Sequence, residues 1–198
     1  MTTSSSRAAS AALTGYYYQR DVTVWVALRL LLLDQLTETV EVEPLTEEDL
    51  ESGSIEHDRS VPKVGIQTDT YRVSLQIKSK SSGNWTPGAF KTLLSHGTDR
   101  PSAIEQLGDP TLRFMLVTDA APQGNLANLT VRGFADWPQQ TPKAINNHTK
   151  LDSHGRLGIM PGLTRELLDF RIEKCFTESL KVPSTRWKAC YESFGDDI

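Results

Sequence analysis

The stretch that decides the fold is YRVSLQIKSK, residues 71–80. Within it, Leu75 and Ile77 alternate with Gln76 and Lys78. Side chains on a β-strand alternate between the two faces of the sheet, so a period of two separates these pairs. We therefore predict a strand that packs its apolar residues on one face and presents the amide and the ammonium group on the other.

Working outward, the remaining elements are predicted from apolar spacing and from Pro and Gly punctuation. The run Leu112–Thr118 is mostly apolar, with four consecutive apolar residues at its centre, which is typical of a strand buried on both faces. The order helix, strands, helix, strand predicts an α/β layered domain. The other predicted elements are a helix at Leu13–Leu36, strands at 39–43 and Val64–Thr68, and helices at Ala89–Ser95 and Leu163–Leu180.

Composition limits the class of protein. The chain has 198 residues and a mass of 22.0 kDa, which fits one domain or one domain with an appendage. With 38% hydrophobic and 23% charged residues, it is not a fully disordered chain. The net charge of -4 argues against a surface that coats nucleic acid, but it permits a local basic groove. Only two cysteines and no long apolar run predict a cytoplasmic protein.

An acid-rich segment lies between the first two predicted strands. Residues 41–58 contain eight Asp or Glu residues and no Lys or Arg. An ammonium group such as that of Lys78, on a strand face that should be covered, needs an acidic partner or a use. Asp49, brought beside it from this segment, would provide the partner. We therefore expect a site made of Glu43, Asp49, Gln76 and Lys78.

These residue types fit the hydrolysis of a phosphodiester. Mg²⁺ (or Mn²⁺) prefers oxygen ligands, and Asp49, the Gln76 amide and the Ile77 backbone carbonyl would supply them. Such a metal polarises the phosphoryl oxygen and activates a bound water. Lys78 would orient or deprotonate that water and stabilise the pentacoordinate charge. The spacing of Gln76 and Lys78, taken alone, is also typical of an edge strand whose polar face is exposed to solvent.

Several pieces of the sequence resemble one family. They are Leu13–Gln19 (LTGYYYQ), the strand ending at Glu43, the acidic turn Glu47–Leu50, Leu75–Lys78, Trp85 and Phe114–Thr118. Together, over about residues 13–120, they resemble the DNA-degrading endonuclease domain of bacterial antiphage defence effectors, of the CD-NTase-associated endonuclease type. That family belongs to the PD-(D/E)xK restriction-endonuclease-like superfamily, in the Mrr-like branch where Gln replaces the second acid.

The resemblance implies an organisation and an activity. A restriction-endonuclease-like core (helix, mixed central sheet, helix, strand) would occupy residues 13–125. A flexible N-terminus, 1–12, would precede it, and a helical C-terminal extension, 126–198, would lead into a further domain of a longer protein. The domain would cleave double-stranded DNA with Mg²⁺ or Mn²⁺. It would act as a homo-oligomer or together with a sensor or ATPase domain.

The resemblance also assigns positions. The Gln-x-Lys pair corresponds to Gln76 and Lys78, and the acid corresponds best to Asp49. Gln19 matches a helix position near the active site of the family, although it could equally satisfy a backbone group beneath the sheet. Residues 51–63 are more than a plain hairpin needs, so the choice of acid stays open. The other candidate acids are Glu43, Glu48 and, if Val64–Thr68 pairs with the next strand, Asp69.

Basic residues near the site predict contacts with DNA phosphates. We expect Arg72, Lys80 and Lys91 to contribute to them, and the activity would then depend strongly on salt. Each of these basic residues, considered alone, could equally be an ordinary surface residue without a role in DNA binding. Two other functions remain open, a catalytically silent nuclease-fold module for protein interaction or oligomerisation and an RNA-directed nuclease.

Overall fold

The alternating stretch forms the middle strand of a five-stranded mixed sheet. The strands follow one another across the sheet in chain order: β1 (Val40–Val42), β2 (Lys63–Gln67), β3 (Arg72–Lys78), β4 (Leu112–Thr118) and β5 (Leu157–Met160). The first three strands are antiparallel, whereas β3, β4 and β5 are parallel. This computed structural model describes residues 3–34, 36–37, 40–42, 63–67, 71–80, 82–97, 101–134, 137–139, 141–149 and 155–180.

Helices flank the sheet. The long α1 (Thr3–Ala27) continues into a π-helix (Leu28–Leu33) ahead of β1. Two helices lie between β3 and β4 in the chain, α2 (Pro87–Ser95) and the short α3 (Ala103–Gln106). A 3₁₀-helix (Gly124–Leu129) and α4 (Lys143–Thr149) follow β4. The last helix, α5 (Arg165–Ser179), follows β5. Side-chain caps start three of these helices. The capping oxygens belong to Thr86, Ser102 and Thr164.

Each face of the sheet has its own apolar core. On one face, Leu75 and Ile77 of β3 join Met115 and Val117 of β4 in the cluster that contains α1, the π-helix and α5. On the other face, alternate β4 residues pack with α2, α3 and the 3₁₀-helix. Because β4 contributes to both clusters, the prediction of a strand buried on both faces is confirmed, and its bounds are as predicted.

The structure contradicts the edge-strand interpretation of the alternating stretch. β3 has β2 on one side and β4 on the other, so it is not an edge strand. Since Leu75 and Ile77 face α1, Gln76 and Lys78 leave from the opposite face, as predicted, and both are half-buried. A half-buried amide and ammonium group on the central strand need polar partners more than the same groups on an edge strand would.

Most predicted elements agree with the structure to within a few residues at their ends, and two regions differ more. The backbone is helical from Thr3, ten residues before Leu13, in a segment predicted to be flexible. Its Ala residues favour the helix by propensity, without an apolar stripe to indicate it. The region 126–198 is not purely helical either, because β5 adds a strand to the same sheet beside β4. The predicted C-terminal helix is confirmed as α5.

Candidate functional site

The candidate site lies where β3 and β4 end together. In the parallel register Ile77 is opposite Val117 and Lys78 is opposite Thr118, so the two strands reach the same edge of the sheet. We call the ends of these strands, Ile77–Lys80 and Thr118–Asp119, the carboxyl edge. Ligands of open sheets with parallel strands commonly bind outside the carboxyl ends of the strands.

Two side chains predicted for catalysis, Gln76 and Lys78, stand on one face beside this edge. They lie opposite Leu116 and Thr118 of β4, which are fully buried. Lys78 is half-buried, and a charge in partly desolvated surroundings interacts more strongly with phosphate or carboxylate than a charge in water does. The structure therefore brings the predicted Gln-x-Lys pair together as expected.

The backbone carbonyl predicted as a metal ligand, that of Ile77, is contacted from α1. The Gln19 side chain donates its Nε2–H to Ile77 O at 3.3 Å. A carbonyl oxygen has two lone pairs, so this bond leaves room for a second partner. Gln19 thus satisfies a backbone group of β3, as one of the two interpretations predicted, and the site role stays a prediction.

Asp119 is a carboxylate of the carboxyl edge that directly follows β4 and was not predicted as a site residue. Its Oδ2 accepts a hydrogen bond from the Ser79 hydroxyl at 2.5 Å, and its Oδ1 accepts one from the Lys80 backbone N–H at 2.8 Å. The end of β4 therefore holds the two residues that follow β3. Its position directly after a strand predicted to be buried on both faces was a signal for a site residue.

Tyr18 is a second residue whose place beside the site was missed. It is 2% exposed, and its hydroxyl has no hydrogen-bond partner among the residues that the structure describes. Burial and the charge of Asp119 together raise the pKa of Tyr18 far above its usual range. The phenol is therefore neutral at any physiological pH. Its place in the apolar stripe of α1 concealed its proximity to a carboxylate.

Lys80, predicted to contact DNA, has partners within the protein. Its Nζ donates to the Asn84 carbonyl at 2.8 Å and lies 5.2 Å from the centroid of the Trp85 ring. Trp85 is itself buried, and its indole N–H donates to the Thr118 hydroxyl at 3.0 Å. The indole is thus part of the core beneath the carboxyl edge. Lys91 is half-buried on α2, which follows this turn.

Arg72 is not brought to the carboxyl edge. It begins β3, six residues before Lys78, and a strand rises about 3.3 Å per residue, which separates the two by about 20 Å. Its guanidinium is paired with the Asp109 carboxylate at 2.5 Å. The three residues predicted to contact DNA therefore do not form one cluster.

The acid-rich segment is attached to the sheet at the end where Gln76 lies. β1 ends with Val42 opposite Val64, and β2 begins with Lys63 opposite Gln76. Residues 43–62 thus leave one strand and enter the next on the same side as the carboxyl edge. Neighbouring strands are about 4.8 Å apart, so β1 is about 10 Å from β3.

The predicted carboxylate ligands themselves lie outside the described residues. These are Glu43, Glu48, Asp49 and Asp69. Among the residues that the structure does describe, no three His, Cys, Asp or Glu side chains are grouped closely enough to hold a metal ion. Oxygen donors at or beside the edge include the Gln76 amide, the Ile77 carbonyl and the Asp119 carboxylate. Hard cations such as Mg²⁺ prefer oxygen donors of these kinds.

Comparison with protein families, curated proteins and solved structures finds no match for this chain. In the described part of the chain, no helix combines the length and apolarity that crossing a bilayer requires.

Proposed function

We propose that this chain is a metal-dependent endonuclease that hydrolyses double-stranded DNA, with a restriction-endonuclease-like core of the PD-(D/E)xK type. One observation carries the proposal. The central strand presents Gln76 and Lys78, half-buried, at the end of the sheet to which segment 43–62, which contains most of the acid-rich residues, is attached at both of its ends.

The order of elements supports the same proposal. A long helix, three antiparallel strands, further helices and a parallel strand follow one another along the chain. This is the order of helix, mixed central sheet, helix and strand expected for the restriction-endonuclease-like core. The contact between Gln19 and Ile77 O joins the first helix to the central strand at the proposed site.

The residues of the chain have separate roles in the proposed hydrolysis. Asp49, the Gln76 amide and the Ile77 carbonyl would hold Mg²⁺ or Mn²⁺, which polarises a phosphoryl oxygen and acidifies water when bound. Lys78 stabilises the negative charge that develops on the phosphate in the transition state. Gln19 donates a hydrogen bond to the Ile77 carbonyl and would help to hold it in place for the metal.

The first prediction concerns Lys78. Lys78→Ala removes an ammonium group that acts on the developing charge, so we expect plasmid cleavage in Mg²⁺ to fall by about 10²-fold or more. Supercoiled DNA and a gel readout measure the rate. Lys174→Ala is the matched control, because Lys174 is exposed on α5 and paired only loosely with Glu178 at 3.9 Å.

The outcome separates the enzyme from the alternative of a catalytically silent nuclease-fold module in protein interaction or oligomerisation. The nuclease proposal requires that Lys78→Ala lose activity while its circular dichroism spectrum and its thermal midpoint stay close to those of Lys174→Ala. Equal behaviour of wild type, Lys78→Ala and Lys174→Ala supports the silent module. The same assay with RNA in place of the plasmid tests the RNA-directed alternative.

We further propose where the activity is used. An unregulated nuclease would damage the DNA of its own cell, so activity should depend on an assembly that brings two or more domains to one duplex. Such a domain suits a cytoplasmic effector of antiphage defence, as a homo-oligomer or joined to a sensor or ATPase. A monomeric chain that cleaves DNA without any activator would contradict this regulation.

A further inference from the structure

We propose that Asp119 is a positioning residue of the candidate site, which fixes the strand end that carries the Ile77 carbonyl and Lys78. The inference rests on the proposed nuclease function, because the groups it concerns are those assigned to the metal and to the phosphate.

The hydrogen bonds of Asp119 show how it can act. β3 ends at Lys78, and the next two residues lie beyond the described strand. Asp119 accepts the Lys80 N–H at 2.8 Å and the Ser79 hydroxyl at 2.5 Å. One carboxylate therefore bonds both residues after Lys78 to the end of β4.

The hydrogen bonds of Asp119 lie next to the groups assigned to the metal and to the phosphate. Gln19 holds the Ile77 carbonyl from α1, and Asp119 holds Ser79 and Lys80 from β4, so the backbone is fixed on both sides of Lys78. Burial, and after it the charge of Asp119, raises the pKa of Tyr18, so the carboxylate also lies near α1. Residues that orient ligating groups typically change metal affinity or activity by about 10- to 100-fold when removed.

The same sheet provides a matched carboxylate for comparison. Asp109 lies at the opposite edge, where it accepts hydrogen bonds from the Thr111 hydroxyl and N–H and pairs with Arg72. It is therefore also a carboxylate that bonds the backbone next to a strand of the sheet. Because Asp109 is distant from Lys78, its substitution controls for the general effect of removing a carboxylate that bonds the backbone.

The experiment compares Asp119→Ala, Asp119→Asn and Asp109→Ala in the full chain. We expect Asp119→Ala to lower kcat and to raise the Mg²⁺ concentration for half-maximal activity, together by about 10- to 100-fold, with KM for DNA little changed. Asp119→Asn retains an oxygen for the Lys80 N–H and should lose less. Asp109→Ala should lower the thermal midpoint and leave kcat and the Mg²⁺ dependence as in wild type.

A second measurement does not depend on activity. Hydrogen exchange at the Lys80 amide should be faster in Asp119→Ala than in wild type and unchanged in Asp109→Ala. The inference is overturned if the Lys80 amide exchanges equally in all three proteins, or if Asp119→Ala retains the wild-type kcat and Mg²⁺ dependence. Failure of the nuclease proposal looks different, because wild type and Lys78→Ala would then be equally inactive while the exchange measurement still tests the positioning.

Discussion

At the scale of single residues, the two ends of the β3–β4 pair are held by carboxylates in different surroundings. Asp119 is half-buried beside Tyr18 and the ends of both strands. Asp109 is at the opposite edge, where hydrogen bonds from Thr111 and, to a smaller extent, from Arg72 lower the pKa of its carboxyl group. The first carboxylate therefore bears on the proposed chemistry, and the second bears on stability.

The lowered pKa of Asp109 predicts a dependence of stability on pH. A carboxyl group with a lower pKa in the folded state stabilises the fold above its unfolded pKa, which is about 3.9, and loses this contribution as the pH falls through the folded value. Asp109→Asn should therefore be less stable than wild type at pH 7 and should approach it in strong acid. Urea unfolding of wild type and of Asp109→Asn at several pH values measures the two free energies of unfolding.

Asp119→Asn is the comparison at the other edge, measured over the same pH range. A parallel loss of stability by wild type and Asp109→Asn between pH 7 and strong acid would contradict the role given to Asp109.

At the scale of elements, β3 owes its position to its apolar residues. Leu75 is fully buried between α1 and the neighbouring strands, so Leu75→Ala should lower the free energy of unfolding by about 2–5 kcal/mol. Leu13→Ala is the matched control, because Leu13 is 51% exposed on α1 and should change stability by less than about 0.5 kcal/mol. Equal losses in the two variants, measured by urea unfolding, would refute this assignment of the core.

The elements that the sequence could predict are those with a strong apolar pattern. The bounds of Leu112–Thr118 are correct because the strand carries four consecutive apolar residues, 114–117, which all lie in the cores. The strand Leu157–Met160 was not predicted, since four residues are too few to show a period and its pairing with β4 is a tertiary effect. The start of α1 at Thr3 was missed because propensity alone, without an amphipathic stripe, supports it.

The same limit applies to the candidate site. The common face of Gln76 and Lys78 follows from the period of a strand, so local sequence is sufficient to predict it. The bonds from Asp119 to Ser79 and Lys80 join residues about forty positions apart, and only the register of β3 and β4 brings them together. The opposite position of Arg72 follows from strand length, which could have been counted.

At the scale of the whole molecule, the proposed function requires that the sheet bring distant segments of the chain together at one edge. The first helix contributes Gln19, the central strand contributes Gln76 and Lys78, and β4 contributes Asp119. Segment 43–62 is attached at the same side through β1 and β2. A divalent ion bound jointly by this segment and by β3 is the central claim, and it is testable without any DNA.

The measurement is the binding of Mn²⁺ to the full chain, followed by calorimetry or by electron paramagnetic resonance. We predict one site in wild type, weakened by about 10- to 100-fold or more in Asp49→Asn, with an unchanged thermal midpoint in the absence of metal. The variants Glu43→Gln, Glu48→Gln and Asp69→Asn test the other acids in the same way. The account is contradicted if wild type and all four variants bind Mn²⁺ equally, or if wild type does not bind it.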